Sequence, residues 1–199
     1  MKTRTEIIRG VALGVSIILI LSLCSCLEIE VKQPTAIERS AKVAVLPFCA
    51  TSPLHDNQFT DEELIGAREE FRAMLHRLFV ERLSRELHVI HPKQVRKAIK
   101  EKGLSDVKDI TRDHALIVAR AAGADIAVWG QIKVAPHLEE SWLGIHRRCD
   151  FVAKVQFIDV WNKELLAEVE ISGKREELEN EFSKVIKKLN FHPHKAGKW

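Results

Sequence analysis

Phe151-Val152-Ala153-Lys154-Val155-Gln156-Phe157-Ile158-Asp159-Val160 and Leu165-Leu166-Ala167-Glu168-Val169-Glu170-Ile171-Ser172 flank Trp161-Asn162-Lys163. The spacing predicts a β-hairpin. In its second arm Leu165, Ala167, Val169 and Ile171 alternate with Glu168 and Glu170, so one face meets a core and the other meets water. Working backwards, Ile126 to Val134 reads as a strand with Ile126, Val128, Gly130 and Ile132 on one face. Gly130 within it points to a close backbone approach or a bulge. Before it, Ala115, Leu116, Ala119 and Ala122 line a helix that starts near Thr111 and stops at Gly123, where glycine supplies the left-handed turn.

Further upstream, Val43-Ala44-Val45-Leu46 is a continuous apolar run, as expected of a strand covered on both faces, with Pro47 at its end. Thr60-Asp61-Glu62-Glu63 is a capping-box signature. It opens a long helix with Leu64, Ala67, Phe71, Met74, Leu75, Leu78 and Leu87 at helical spacing. Val89-Ile90 is a short strand. Pro92 then starts a helix that Gly103 ends, with Leu104 placed for a Schellman contact. A last helix carries Leu178, Phe182, Val185 and Leu189 in one stripe. The expected order is β-α-β-α-α-β-β-β-α, a single α/β domain over residues 42–190. Its mixed sheet of about five strands has parallel crossovers first and an antiparallel hairpin last.

The amino terminus has a different character. Lys2, Arg4 and Arg9 precede an almost unbroken apolar run, Val11 to Leu23, too short to span a bilayer and suited to a signal peptide. Leu23-Cys24-Ser25-Cys26 resembles the bacterial lipoprotein box, with Leu three places before the cysteine and a small residue just before it. That resemblance implies removal of residues 1–25 and acylation of Cys26. Because Leu27 rather than Asp follows, it also implies sorting to the periplasmic face of an outer membrane. Residues 26–41 are then expected to be a lipidated tether reaching roughly 50 Å when extended, and residues 191–199 a frayed, disordered tail. Beyond residue 25 the chain carries 28 basic and 27 acidic residues, a net charge of +1. Such a balance gives no electrostatic footprint for nucleic acid.

Cys49 and Cys149 remain after Cys24 and Cys26 are set aside. Outside the cytoplasm they form a candidate disulfide, the alternative being two free thiols. The nine histidines include no HExxH and no set with metal-ligand spacing, so no metal or other cofactor is expected. Ser141 lacks a nucleophile elbow, no P-loop or GxGxxG occurs, and the acids near Thr60 suit capping; a non-enzymatic protein is expected. The best interaction candidate is the segment from His137 to Arg148, read as a loop, in which Trp142, Leu143 and Ile145 stand beside Arg147 and Arg148.

Lys42-Val43-Ala44-Val45-Leu46-Pro47-Phe48 occurs with Ala119-Arg120-Ala121-Ala122-Gly123-Ala124-Asp125 leading into Ile126-Ala127-Val128-Trp129-Gly130, and with Ile158-Asp159-Val160 in the hairpin. In this order the motifs resemble periplasmic domains of one fold, represented by the TolB amino-terminal domain, the curli-secretion lipoprotein CsgG and the penicillin-binding-protein activator LpoB. The resemblance implies a lipid-anchored binding module that serves envelope assembly, secretion or cell-wall machinery through an envelope protein partner. The alternative is an oligomeric, secretion-channel-associated lipoprotein of the curli type, a homo-oligomer. A curli-type pore needs about 9–11 alternating residues per spanning strand. The stretches Cys49–Phe59 and Ala135–Arg148 read as too short and too irregular for that.

Overall fold

The computed structural model describes residues 27–33, 35–51, 59–105, 109–141 and 144–192, with the backbone alone for residues 139–141 and 144–147. The strands are β1 (Glu28–Lys32), β2 (Ile37–Glu38), β3 (Lys42–Val45), β4 (Cys49–Thr51), β5 (His88–Val89), β6 (Ile126–Ser141), β7 (Gly144–Asp159), β8 (Leu165–Lys174) and β9 (Phe191–His192). The helices are α1 (Asp61–Leu83), α2 (Pro92–Glu101), α3 (Arg112–Ala121) and α4 (Arg175–Lys188). Seven strands form one mixed sheet in the order β1-β8-β7-β6-β3-β5, with β4 pairing β6 just beyond β3. The α/β architecture expected from the sequence is the one observed.

Strand alternation sends neighbouring side chains of β3 and β6 into two separate cores. Val43 and Val45 join Ile126, Val128, Ile132 and Val134 beneath α1 and α4, where Phe71, Phe79 and Phe182 fill the layer. Ala44, Leu46 and Ala127 face Val95, Ala98, Ala115 and Val118 of α2 and α3. The helices are capped as their sequences require. Thr60 Oγ1 accepts from the Glu63 N–H at 3.3 Å while Glu63 Oε2 accepts from the Thr60 N–H at 2.9 Å. Both α2 and α3 end in Schellman turns, with Gly103 and Gly123 at φ of 68° and 77°. The Leu104 and Ala124 N–H groups donate back to the Ile99 and Ala119 carbonyls.

The fold is larger than residues 42–190. The expected tether contains β1, which pairs antiparallel with β8 from Glu28 opposite Ser172 to Lys32 opposite Glu168. Ile29 and Val31 alternate with three charged residues and pack against the core, and Leu27 is buried. The expected tail likewise begins with β9, which pairs in parallel with β2. Neither segment holds enough apolar surface to fold alone; each is ordered by an edge already in place.

The segment read as a loop from His137 to Arg148 is instead part of the longest hairpin in the described residues. β6 and β7 have 16 residues each and stay in register from Ile126 opposite Asp159 to Ser141 opposite Gly144. The described parts of this stretch, 135–141 and 144–148, are therefore regular strand rather than too short and too irregular. Pro136 is tolerated because, among the described residues, β6 has no strand partner on the β4 side beyond Lys133 and needs no donor there.

Gly130 is where β6 admits the core. A Cβ there would lie 2.7 Å from the Lys154 carbonyl oxygen, 2.9 Å from the Phe48 ring and 3.0 Å from Val155. Two of the three obstacles are packed side chains and one is backbone. Gly130→Ala is expected to cost about 1–3 kcal/mol through overpacking. Thermal denaturation should show Tm lowered by about 3–10 °C.

Candidate functional site

β8 stops pairing with β7 at Lys174 opposite Asp150, and β4 stops pairing with β6 at Thr51 opposite Lys133. Beyond those rows the two longest strands continue as a ribbon with no other strand partner among the described residues, through six pairs from Pro136–Cys149 to Ser141–Gly144. At roughly 3.3 Å per residue this arm projects about 20 Å. The sequence candidates fall on it. The backbone of Ile145 and Arg147 lies opposite Glu140 and Leu138, and Arg148 lies opposite His137 at its base. Trp142 and Leu143 lie outside the described residues, as does Cys26.

The base of the arm is tied to both helices of the larger core. Arg148 Nη1 donates to Glu176 Oε1 at 3.0 Å, in the first turn of α4. Next to it Arg175 pairs with Glu70 of α1, its Nη1 at 3.1 Å from Oε2. Cys149 packs against the core, and Phe71 stacks on Phe151 with ring centres 4.7 Å apart. Leu138, one pair further out, is exposed. The arm is thus clamped at its root and open beyond it.

The chain enters the sheet at this same end. Leu27 lies against Gly173, where a Cβ would come within 3.1 Å of its side chain. β1 and β7 are both antiparallel to β8 and therefore parallel to each other. β1 consequently begins at the end of the sheet from which the arm projects.

The candidate disulfide is ruled out by position. Cys49 sits opposite Gln131 and Cys149 opposite Pro136, five residues apart along β6. That is about 17 Å of strand, whereas a disulfide needs Cα atoms within about 7 Å. Both thiols are free. Burial pushes each of them up to about 11, and Cys49 donates to the Ile110 carbonyl at 3.4 Å. Neither is an activated nucleophile.

Two clefts flank α1. One, of about 510 Å³, lies between α1 and the start of α2, floored by Pro47 and Val95. There His76 Nε2 is 3.3 Å from the Val45 carbonyl, and burial lowers its pKa, so a neutral imidazole donates to the strand end. The other, of about 420 Å³, gathers Arg39, Arg82, Arg85 and Lys187 from the ends of β2, α1 and α4. No sequence motif announced it, since its members come from three separate segments. Trp161, exposed at the turn between β7 and β8, is covered by the Arg120 guanidinium 5.2 Å from its ring. Among the described residues no three His, Cys, Asp or Glu side chains come together as a metal-holding group.

Burial pushes the Glu176 carboxyl up, but its own N–H and the Arg148 guanidinium outweigh this and hold it below the usual glutamate range. A depressed carboxylate stabilises the fold above its ordinary value of 4.5 and loses that contribution as pH falls through the native value. The pair is half exposed, so the effect is small. Wild type is expected to exceed Glu176→Gln by less than about 1 kcal/mol in urea titrations. The difference should hold between about pH 7 and 5 and close below the ordinary carboxylate value.

No protein-family model matches the chain, and no curated protein matches it. Similar solved structures include the PelC dodecamer of Paraburkholderia phytofirmans, 15% identical, covering 84% of this chain and 99% of that one at a TM-score of 0.44. Lipoprotein GNA1162 of Neisseria meningitidis is 18% identical, covering 74% of this chain and 96% of that one at a TM-score of 0.43. The LpoB C-terminal domain of Salmonella enterica is 13% identical, covering 70% and 86% at a TM-score of 0.42.

Proposed function

We propose that this chain is a non-enzymatic lipoprotein, acylated at Cys26 and held on the periplasmic face of an outer membrane. It serves envelope assembly, secretion or cell-wall machinery through protein contacts. The observation that supports this reading is the shared end of the sheet: β1 starts there, one residue after Leu27, and the arm leaves from there. With Leu27 seated on Gly173, an acyl chain on Cys26 has no 15-residue tether to pivot on. The body would rest on the bilayer, and the arm, with its Trp142-Leu143 connection, would lie at the headgroup level where tryptophan and basic side chains are favoured. Several acyl chains at one cysteine would hold the body there, whereas one binds only reversibly.

Cells labelled with radioactive palmitate are expected to yield a labelled membrane-bound protein, and Cys26→Ala an unlabelled one. Label that survives Cys26→Ala would reject the anchor. Photo-crosslinkers at positions 138 and 145 should capture a defined envelope protein, while one on exposed Ile65 of α1 should not.

A second reading, assembly of many copies, is favoured by the open edges of the arm. Beyond Lys133 and Asp150 neither ribbon strand has a further strand partner among the described residues, which offers a template for strand addition by another copy. Light scattering of the detergent-solubilised, acylated protein is expected to give a multiple of the mass of the processed chain, residues 26–199 with their lipid, after micelle correction. Proline at position 138 or 147 should lower that mass if the edges mediate assembly, whereas a monomer at all concentrations removes this reading.

A further inference from the structure

We infer that the cleft at the far end of α4 is an oxyanion site, built to take a phosphate group. The cleft, about 420 Å³, is bounded by the carboxyl ends of α1 and α4 and by the small β2–β9 sheet. α4 has 14 residues, so its last turn lies about 20 Å along the helix from the arm-bound first turn. Four cations line the cleft: Arg39, Arg82, Arg85 and Lys187. A single carboxylate, Glu86, lines it with them, already held by Arg39 at 3.2 Å. Ser183 and Asn190 add a hydroxyl and an amide to the wall.

This concentration is not what the composition provides. The chain beyond residue 25 has a net charge of +1, and elsewhere on the helices cations stand beside carboxylates, as in Arg72–Glu69, Arg77–Glu179 and Lys184–Glu181. Helix dipoles account for part of the basic character, since Arg82 and Lys187 stand in the last turns of their helices. They do not account for Arg39, which arrives from the turn after β2, nor for Arg85, which lies beyond α1. Like charges drawn from three segments into one concavity repel one another, and a multivalent anion relieves that repulsion. Two or more guanidinium groups offer paired, planar donors matched to phosphate oxygens, and hydroxyl and amide donors complete a tetrahedral acceptor. Phe191, also in the lining, offers an apolar contact to the remainder of a larger phosphate-bearing molecule.

The test uses the full chain in neutral detergent at low ionic strength, titrated calorimetrically with inorganic phosphate and with glucose 1-phosphate. Saturable binding is expected, tighter for the sugar phosphate and weakened by salt. Equal affinity for the two would assign the site to free phosphate. Arg82→Ala combined with Arg85→Ala should weaken binding about tenfold or more. Lys97→Ala with Lys100→Ala, equally basic but on α2, should leave it unchanged, and Lys187→Glu provides a second, single-site variant. Far-ultraviolet circular dichroism establishes that each variant is folded. No saturable binding by the folded wild-type chain, or equal weakening by the α2 control pair, overturns the inference. Loss of palmitate labelling in Cys26→Ala has no bearing on this readout, so the two proposals fail separately.

Discussion

Strand β6 is the constraint on which the rest depends. It is the common partner of β3, β4 and β7, and its first residues face both hydrophobic cores. Parallel pairing with β3 and β4 on one side and antiparallel pairing with β7 on the other make the sheet mixed. Gly130 sets how closely that strand can be packed: the Phe48 ring and Val155 occupy the space a side chain would need. A bulkier residue would force apart the sheet and the aromatic layer of Phe48, Phe79, Phe157 and Phe182 together. Ridge, sheet and helix positions are coupled through this one atom's absence, because close-packed interiors transmit strain rather than absorb it.

The same strand also outruns its neighbours, and that mismatch gives the molecule two unlike ends. At one end a ribbon projects beyond every flanking strand, rooted by Arg148–Glu176 and Arg175–Glu70, and the chain enters the sheet beside it. At the other, helix ends and the β2–β9 pair close around a basic concavity. Between them the uncovered face of β7 and β8 is polar and internally neutralised: Glu168 accepts from Gln156 at 2.8 Å and from Lys154 at 2.9 Å. On this face the ammonium of Lys154 and the carboxylate of Glu168 satisfy each other. The two described cysteines are protonated and partly or fully buried.

The local reading of the chain succeeded wherever a residue's role depends on its immediate neighbours. Thr60 and Glu63 cap α1, Gly103 and Gly123 end α2 and α3, and the alternation in Leu165–Ile171 places the second arm of the hairpin. It failed at the margins. Leu27-Glu28-Ile29-Glu30-Val31-Lys32 alternates as clearly as β8, but lies outside the span 42–190 that local patterns mark as the domain. The ribbon reads as a loop because its residues alternate poorly between apolar and polar. Its register is inherited from the core half of the same strands rather than from its own side chains.

By itself, then, the sequence determined the start of α1, the ends of α2 and α3, the two-faced strand Val43–Leu46, the close approach at Gly130 and the order of the central elements, whereas α1 ends at Leu83, one turn before the expected Leu87. All of these follow from propensity, capping and periodicity acting over a few residues. Only the tertiary structure decided that β1 and β9 belong to the fold, that Cys49 and Cys149 lie five rows apart, and that Arg39, Arg82, Arg85 and Lys187 meet. These depend on strand register and on where helices end relative to one another. Such distances are set by packing across the sheet, and no local pattern along the chain encodes them.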